Sequence, residues 1–431
     1  MYHHKVEKVS RTRATEVHVE GQQPPGGAER PRLRAGAASF TALAALAATG
    51  LVAGPAAAAP SASPCVLPRT SAHHSLGLDD WNDAYPRPER SLDAVMIFLS
   101  FPDATPLTTP AELAADHFPA TTDFFRRASY GRFTLRAHPA AAWTPMPRPS
   151  TDYAVRRDWA PEMRAAYLRD ALAAADDSVD FSRYDIVYLV ADPDAPGVDS
   201  DATKVVNLER PLEADGKRIQ RVVTVFERHP PDRNVLAHET GHVFDLPDLY
   251  RRPADGKGDW DTHVGDWDVM GSQFGLAPDP FGWHKWKLGW LDRDQVACVR
   301  GGEPRVVGLE PVSATPGTRG TRLAVVRTGA DGVLAIEARA ATGNDAGTCT
   351  EGVLVYRVEA GAASGDGPVR VVDGHPDTEA CGDRSVYPPL ADAPLEVGER
   401  LTVPGTGVRV EVADRSASGV WTVKITPPGV G

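Results

Sequence analysis

Apolar positions along the chain fall into two regimes. Up to about residue 290, short continuous apolar runs bounded by turn residues alternate with stretches of helical period. Residues 94–99 (AVMIFL) and 184–191 (YDIVYLVA) have the length and unbroken apolar character of strands buried on both faces, and residues 221–226 (RVVTVF) form a third such run. Between them, Thr109-Pro110-Ala111-Glu112 reads as a helix start with Thr as cap and Pro in the first turn. Met163, Ala166, Leu168, Leu172 and Ala175 recur at roughly helical spacing and predict a helix over residues 161–176. Pro230-Pro231 ends the third run, and Asp232 or Asn234 can cap the helix that follows. Helices alternating with strands imply an α/β layer. From Pro304 onward the pattern changes to short Val-rich runs separated by Gly, Thr and Pro. Residues 322–328, 333–338, 352–358, 408–412 and 420–425 are the strand candidates, a β-sandwich-like pattern. The expected class is α+β, with one domain over residues 93–297, a β-rich C-terminal domain over 298–431, and a boundary between Leu291 and Pro304.

The N-terminal portion is of a different kind. Residues 1–35 are polar and basic, ending in Arg30, Arg32 and Arg34, and residues 35–54 are apolar with small interruptions. Small residues follow at Ala57-Ala58-Ala59, so residues 1–59 have the outline of a signal peptide with an extended basic leader, cut after Ala59 or within Ser61-Ala62-Ser63. The apolar run is about 20 residues, near the lower limit for crossing a bilayer. The expectation is a secreted, extracellular protein without stable membrane association. Residues 60–92, rich in Pro, Ser, His and Asp, read as an arm or short pro-segment. Export permits disulfides among Cys65, Cys298, Cys349 and Cys381, which allow three pairings. The favoured one joins Cys349 to Cys381 and Cys65 to Cys298. A formal charge of −12 offers no basic surface for phosphates and argues against a nucleic-acid partner.

Chemistry concentrates in residues 238–250, HETGHVFDLPDLY. On a helix His238 and His242 lie on one face, four residues apart, and can aim two imidazoles at one cation. Glu239 stands beside them, placed to take a proton from water activated at that cation. A bare HExxH also occurs as a charged helix face. Here it follows a buried-type strand, precedes a turn at Leu246-Pro247, and has an acidic candidate, Asp248, six residues beyond His242.

With those features the segment resembles the zinc signature of the immune-inhibitor-A family of secreted bacterial metallopeptidases, HExxHxxGLPDLYD, and the extended motif of metzincin-type zincins. That resemblance implies a zincin-type catalytic domain, a mixed sheet with an active-site helix. It also implies Zn2+ as cofactor, His238, His242 and Asp248 as its ligands, and Glu239 as general base. Asp245 stands where the family carries Gly, at a position that turns the chain out of the helix, often with positive φ; Asp tolerates that conformation better than most residues. Residues 266–272 (DWDVMGS) resemble the family's Met-bearing turn, with Met270 as a thioether floor beneath the ligands. Trp283, Trp286, Leu288, Gly289 and Trp290 resemble its helix ending in L-G-W and read as core. Residues 94–103, Ser129-Tyr130-Gly131, residues 335–339 and residues 352–356 resemble further family elements.

The implied activity is that of a zinc endopeptidase acting on a protein or peptide substrate, as a monomer. Two other readings stay open: a binding protein on a degenerate peptidase scaffold, and a zinc amidase acting on cell-wall peptides. Asp192, Asp194, Asp199 and Asp201, and again Asp255, Asp259, Asp261, Asp266 and Asp268, are close enough in sequence to suit Ca2+, although acidic loops of this kind are also simply solvated. Tyr250, His263 and His284 are further candidates for a cleft, each with a packing role as the plainer reading.

Overall fold

The computed structural model describes residues 63–227, 234–313 and 319–428. The leader and signal segment, the first residues of the arm, Pro230-Pro231 and Asp232 lie outside them. The strands are β1 (Ser91–Ser100), β2 (Thr134–Pro145), β3 (Ile186–Ala191), β4 (Lys204–Ala214), β5 (Lys217–Val225), β6 (Val296–Val299), β7 (Arg305–Leu309), β8 (Leu323–Arg327), β9 (Gly332–Arg339), β10 (Gly352–Glu359), β11 (Val369–Val372), β12 (Arg400–Thr402), β13 (Arg409–Arg415) and β14 (Trp421–Thr426). The helices are α1 (Pro110–His117), α2 (Ala120–Ala128), α3 (Ser150–Tyr153), α4 (Pro161–Ala175), α5 (Val235–Val243), α6 (Gly282–Lys287) and α7 (Pro388–Ala391). The class is α+β, with mixed sheets and few long helices.

The first sheet has the order β2-β1-β3-β5-β4, parallel except for the antiparallel edge strand β4. β3 and the inner stretch of β1 from Ala94 to Leu99 are apolar throughout because helices cover both faces. Met96 and Phe98 of β1 share a core with Leu236 and Val243 of α5, whereas Val95, Ile97 and Leu99 pack with Tyr167, Leu168 and Leu172 of α4. Alternation along one strand thus assigns α5 to one face and α4 to the other. Helix α1 begins as its sequence predicts, with a capping box between Thr109 and Glu112 and Pro in the first turn. For α5 the cap differs from expectation: Asn234 makes no side-chain cap bond, and its amide donates to the Gln273 carbonyl at 3.0 Å. That bond ties the helix start to the segment that follows Met270.

Two further sheets, β11-β10-β9-β8-β6 and β12-β13-β14-β7, enclose a shared apolar core that includes Val326, Ile336 and Val355 from one and Val410, Val423 and Ile425 from the other. The opposite face of the first of these, with Val325, Ala335 and Tyr356, belongs to the same core as Phe98, Leu236, Trp283 and Trp290. Cys65 pairs with Cys298 and Cys349 with Cys381, at Cα separations of 5.8 and 5.7 Å. Among the described residues no helix is long and apolar enough to cross a membrane.

Candidate metal centre

All nine residues of α5 are buried, so the helix is positioned by packing on every side rather than by an amphipathic face. The Tyr188 hydroxyl on β3 meets the Thr240 hydroxyl at 2.8 Å and registers the helix against the sheet. His238 and His242 come to the same side. Their Nδ1 atoms lie 2.8 Å from the carbonyls of Val269 and Leu246. A carbonyl only accepts, so each Nδ1 carries the proton and each Nε2 presents its lone pair.

Both lone pairs face one oxygen. Asp248 Oδ1 lies 3.3 Å from His238 Nε2 and 3.1 Å from His242 Nε2. Two ligands bound about 2.1 Å from a tetrahedral zinc stand about 3.4 Å apart, so these separations are close to the edges of such a site. His238, His242 and Asp248 offer ligand atoms within 4.8 Å of one another, a group that could hold a metal ion. Neither His238 Nε2 nor Asp248 Oδ1 makes a hydrogen bond among the described residues, and a bound cation would reconcile electron-rich atoms so placed. Glu239 follows His238 on the helix and is fully buried.

The exit from α5 explains how Asp248 arrives. Asp245 has φ 61, the left-handed conformation expected where the family motif has Gly. The Asp245 amide donates to the His242 carbonyl and the Leu246 amide to the Gly241 carbonyl, both at 3.1 Å, which closes the helix as a Schellman motif with Asp in the glycine position. The Asp245 side chain has its own work. It takes His74 Nδ1 and Arg69 Nη1, each at 2.9 Å, and Lys287 Nζ at 3.2 Å. Lys287, buried at the end of α6, also donates to the carbonyls of Ser75 and Asp245. The arm before β1 is therefore built into the turn between the second histidine and the third candidate ligand. The arm is held elsewhere by indole donors, Trp283 to the Leu76 carbonyl and Trp290 to the Pro88 carbonyl.

Segment 266–272 supplies both the Val269 carbonyl that orients His238 and the floor of the site. A Cβ placed on Gly241 would lie 2.3 Å from Met270 Sδ, so glycine is what lets the thioether reach the helix backbone. Asp268 shapes this turn: it accepts the Met270 amide, the Phe281 amide and His284 Nδ1 at 2.7–2.8 Å. His284 is thus a buried structural partner. Tyr250 is also buried, its ring 6.4 Å from that of His238 and nearly parallel to it.

Ser364 and Arg252 escaped sequence reasoning. Asp248 Oδ2 accepts from Arg252 Nη2 at 2.9 Å and from Ser364 Oγ at 3.1 Å, and the Asp248 amide donates to Ser364 Oγ at 2.8 Å. Nothing in the run EAGAASGDG around Ser364 signals a site. For Lys287 a signal existed: a lysine four residues after Trp283 within an aromatic stripe that reads as core.

The acidic loops raised as calcium candidates fold as follows. Among the described residues no other group of three His, Cys, Asp or Glu side chains comes together as a metal site. Several of these carboxylates instead accept nearby backbone amides: Asp192 that of Asp194, Asp199 that of Asp201, Asp255 that of Lys257 and Asp259 that of Asp261. Asp266 holds the Leu276 and Val386 amides and the Ser385 hydroxyl. A cavity of about 140 Å³ beside Tyr184, Lys217 and Arg221 includes Val243 of α5 but none of the candidate ligands.

No known protein family matches the chain, and no curated protein does. Among solved structures, two crystal forms of wild-type OgpA from Akkermansia muciniphila are similar to it. One is 11% identical, with a TM-score of 0.25, over 68% of this chain and 95% of that one. The other is 10% identical, with a TM-score of 0.22, over 68% and 94%. A similarity at that level carries no argument about fold or activity.

Proposed function

We propose that the chain is a secreted zinc endopeptidase with a zincin-type catalytic region. The observation that carries this reading is the convergence of His238 Nε2, His242 Nε2 and Asp248 Oδ1 on one point, with Glu239 on the same helix. The donor set, two neutral imidazoles and one carboxylate, suits zinc and leaves a fourth position open. When bound, zinc supplies Lewis acidity, which acidifies water and polarises the scissile carbonyl. Glu239 takes a proton from the water as its oxygen attacks the carbonyl carbon, and returns it to the amine as the C–N bond breaks. The Val269 and Leu246 carbonyls keep both imidazoles in the ligating tautomer throughout. Two disulfides agree with an oxidising compartment.

The test is Glu239→Ala. The variant should fold, retain one equivalent of zinc and lose nearly all digestion of unfolded casein. Digestion at the wild-type rate would remove Glu239 as the base.

A further inference from the structure

The two oxygens of Asp248 have different environments. Oδ1 faces the histidines, while Oδ2 is held by two donors that come from different parts of the chain. We propose that Ser364 and Arg252 are positioning residues for the metal-ligating carboxylate, and that the hairpin joining β10 to β11 is part of the metal centre. This rests on the zinc reading above.

A carboxylate on a single torsion can offer one oxygen, the other or both. The charge-assisted bond from Arg252 and the hydroxyl bond from Ser364 occupy Oδ2 and leave Oδ1 for the cation. The backbone is pinned as firmly as the side chain. The Gly365 amide donates to the Asp248 carbonyl at 3.1 Å and the Arg252 amide to the Gly365 carbonyl at 3.0 Å. Ser364 Oγ therefore bonds both the amide and the carboxylate of Asp248, and its neighbour bonds the carbonyl, so the ligand is held on three sides. Gly365 makes the approach possible: its φ is 81, and a Cβ there would lie 3.0 Å from Arg252 Cβ. Arg252 is in turn set over the Tyr250 ring, 5.6 Å from its centroid. The hairpin reaches the site from a sheet whose other strands lie in the β-rich region, so that region takes part in metal binding.

The experiment compares full-length wild type with Ser364→Ala, Ser364→Thr and Arg252→Gln. Zinc affinity is measured by chelator competition, and ligand geometry by the visible spectrum of the cobalt-substituted protein. Ser364→Ala and Arg252→Gln should each weaken zinc binding by about 10–100-fold and alter the cobalt spectrum. Ser364→Thr, which keeps the hydroxyl, should stay within about threefold of wild type. Far-UV circular dichroism of the metal-free proteins shows that each variant is folded. If wild type binds zinc and cobalt while Ser364→Ala and Arg252→Gln match it in affinity and spectrum, the positioning role is overturned and the zinc reading stands. If wild type itself binds neither metal, the zinc reading fails first.

Discussion

Asp245→Gly sets two effects against each other. Asp245 is left-handed at φ 61, which costs an L-residue roughly 1–2 kcal/mol that glycine does not incur, with Asp near the lower end. Considered alone, the change stabilises. Yet the Asp245 carboxylate is fully buried and is the counter-ion of Lys287, whose side chain is 3% exposed, and of Arg69, at 22%. Burial pulls the Lys287 ammonium down to about 8, with Asp245 the main influence opposing it. Deleting one partner of a buried pair costs about 3–5 kcal/mol because the other charge is left uncompensated. The net expectation is a loss of about 2–4 kcal/mol from these two contributions. Asp245→Gly combined with Lys287→Met should recover at least half of it, since removing both charges avoids the orphaned one. The recovery stays incomplete because the Ser75 carbonyl loses its donor. Urea unfolding at pH 7, followed by tryptophan fluorescence and compared at constant slope, measures both variants. An Asp245→Gly protein as stable as wild type, or a double variant no better than the single, would refute the argument that the ion cluster outweighs the backbone strain.

Two further outcomes are expected. Gly241→Ala brings a Cβ to 2.3 Å from Met270 Sδ, where ordinary contacts need about 3.5–4 Å, so overpacking of about 1–3 kcal/mol should exceed the helix-propensity gain of about 1. In a double-mutant cycle with Met270→Ala the two changes should partly compensate, and strict additivity in urea midpoints would count against the contact. Burial lowers His117 from 6.5 to about 4. Between those values the unfolded chain binds a proton that the folded one does not, so stability falls as pH falls from 6.5 toward 4. His117→Gln should therefore lose about 2.5 kcal/mol less than wild type between pH 7.5 and 4.5, measured by urea unfolding with chelator present at both pH values. An identical acid loss in the two proteins would show that His117 is protonated while folded.

The strands legible in advance were those with an apolar run or a Val-rich alternation: β1, β3 and β5 in the first sheet, and β8, β9, β10, β13 and β14 in the β-rich region. Edge strands were not. β2 carries Pro139 and a run of alanines and is mostly exposed, and β4 has Pro211 within it, so neither shows an apolar run or a clean alternation. At the candidate metal centre, the pairing of His238 and His242 could be read from helical spacing, whereas Asp248 as their partner and the left-handed Asp245 came from the resemblance to the family motif. Partners from afar could not be read, because hydrogen bonds from Arg69, His74 and Ser364 leave no periodic trace. The acidic loops pose a related problem: aspartates at short spacing serve turns as readily as cations, and here Asp192, Asp199, Asp255 and Asp259 each accept a backbone amide two residues on.

The separation of 116 residues between Asp248 and Ser364 also has a meaning in time. A ribosome adding about 5–20 residues each second needs roughly 6–23 s to cover it. During that interval the nascent chain already carries both histidines and the carboxylate, but nothing yet braces Asp248 from the far hairpin. A polypeptide that ended before Ser364 would keep the whole motif in its sequence and retain only Arg252 of the two donors to Asp248 Oδ2. The order of synthesis therefore delays the Ser364 bonds to Asp248 until most of the protein has been made.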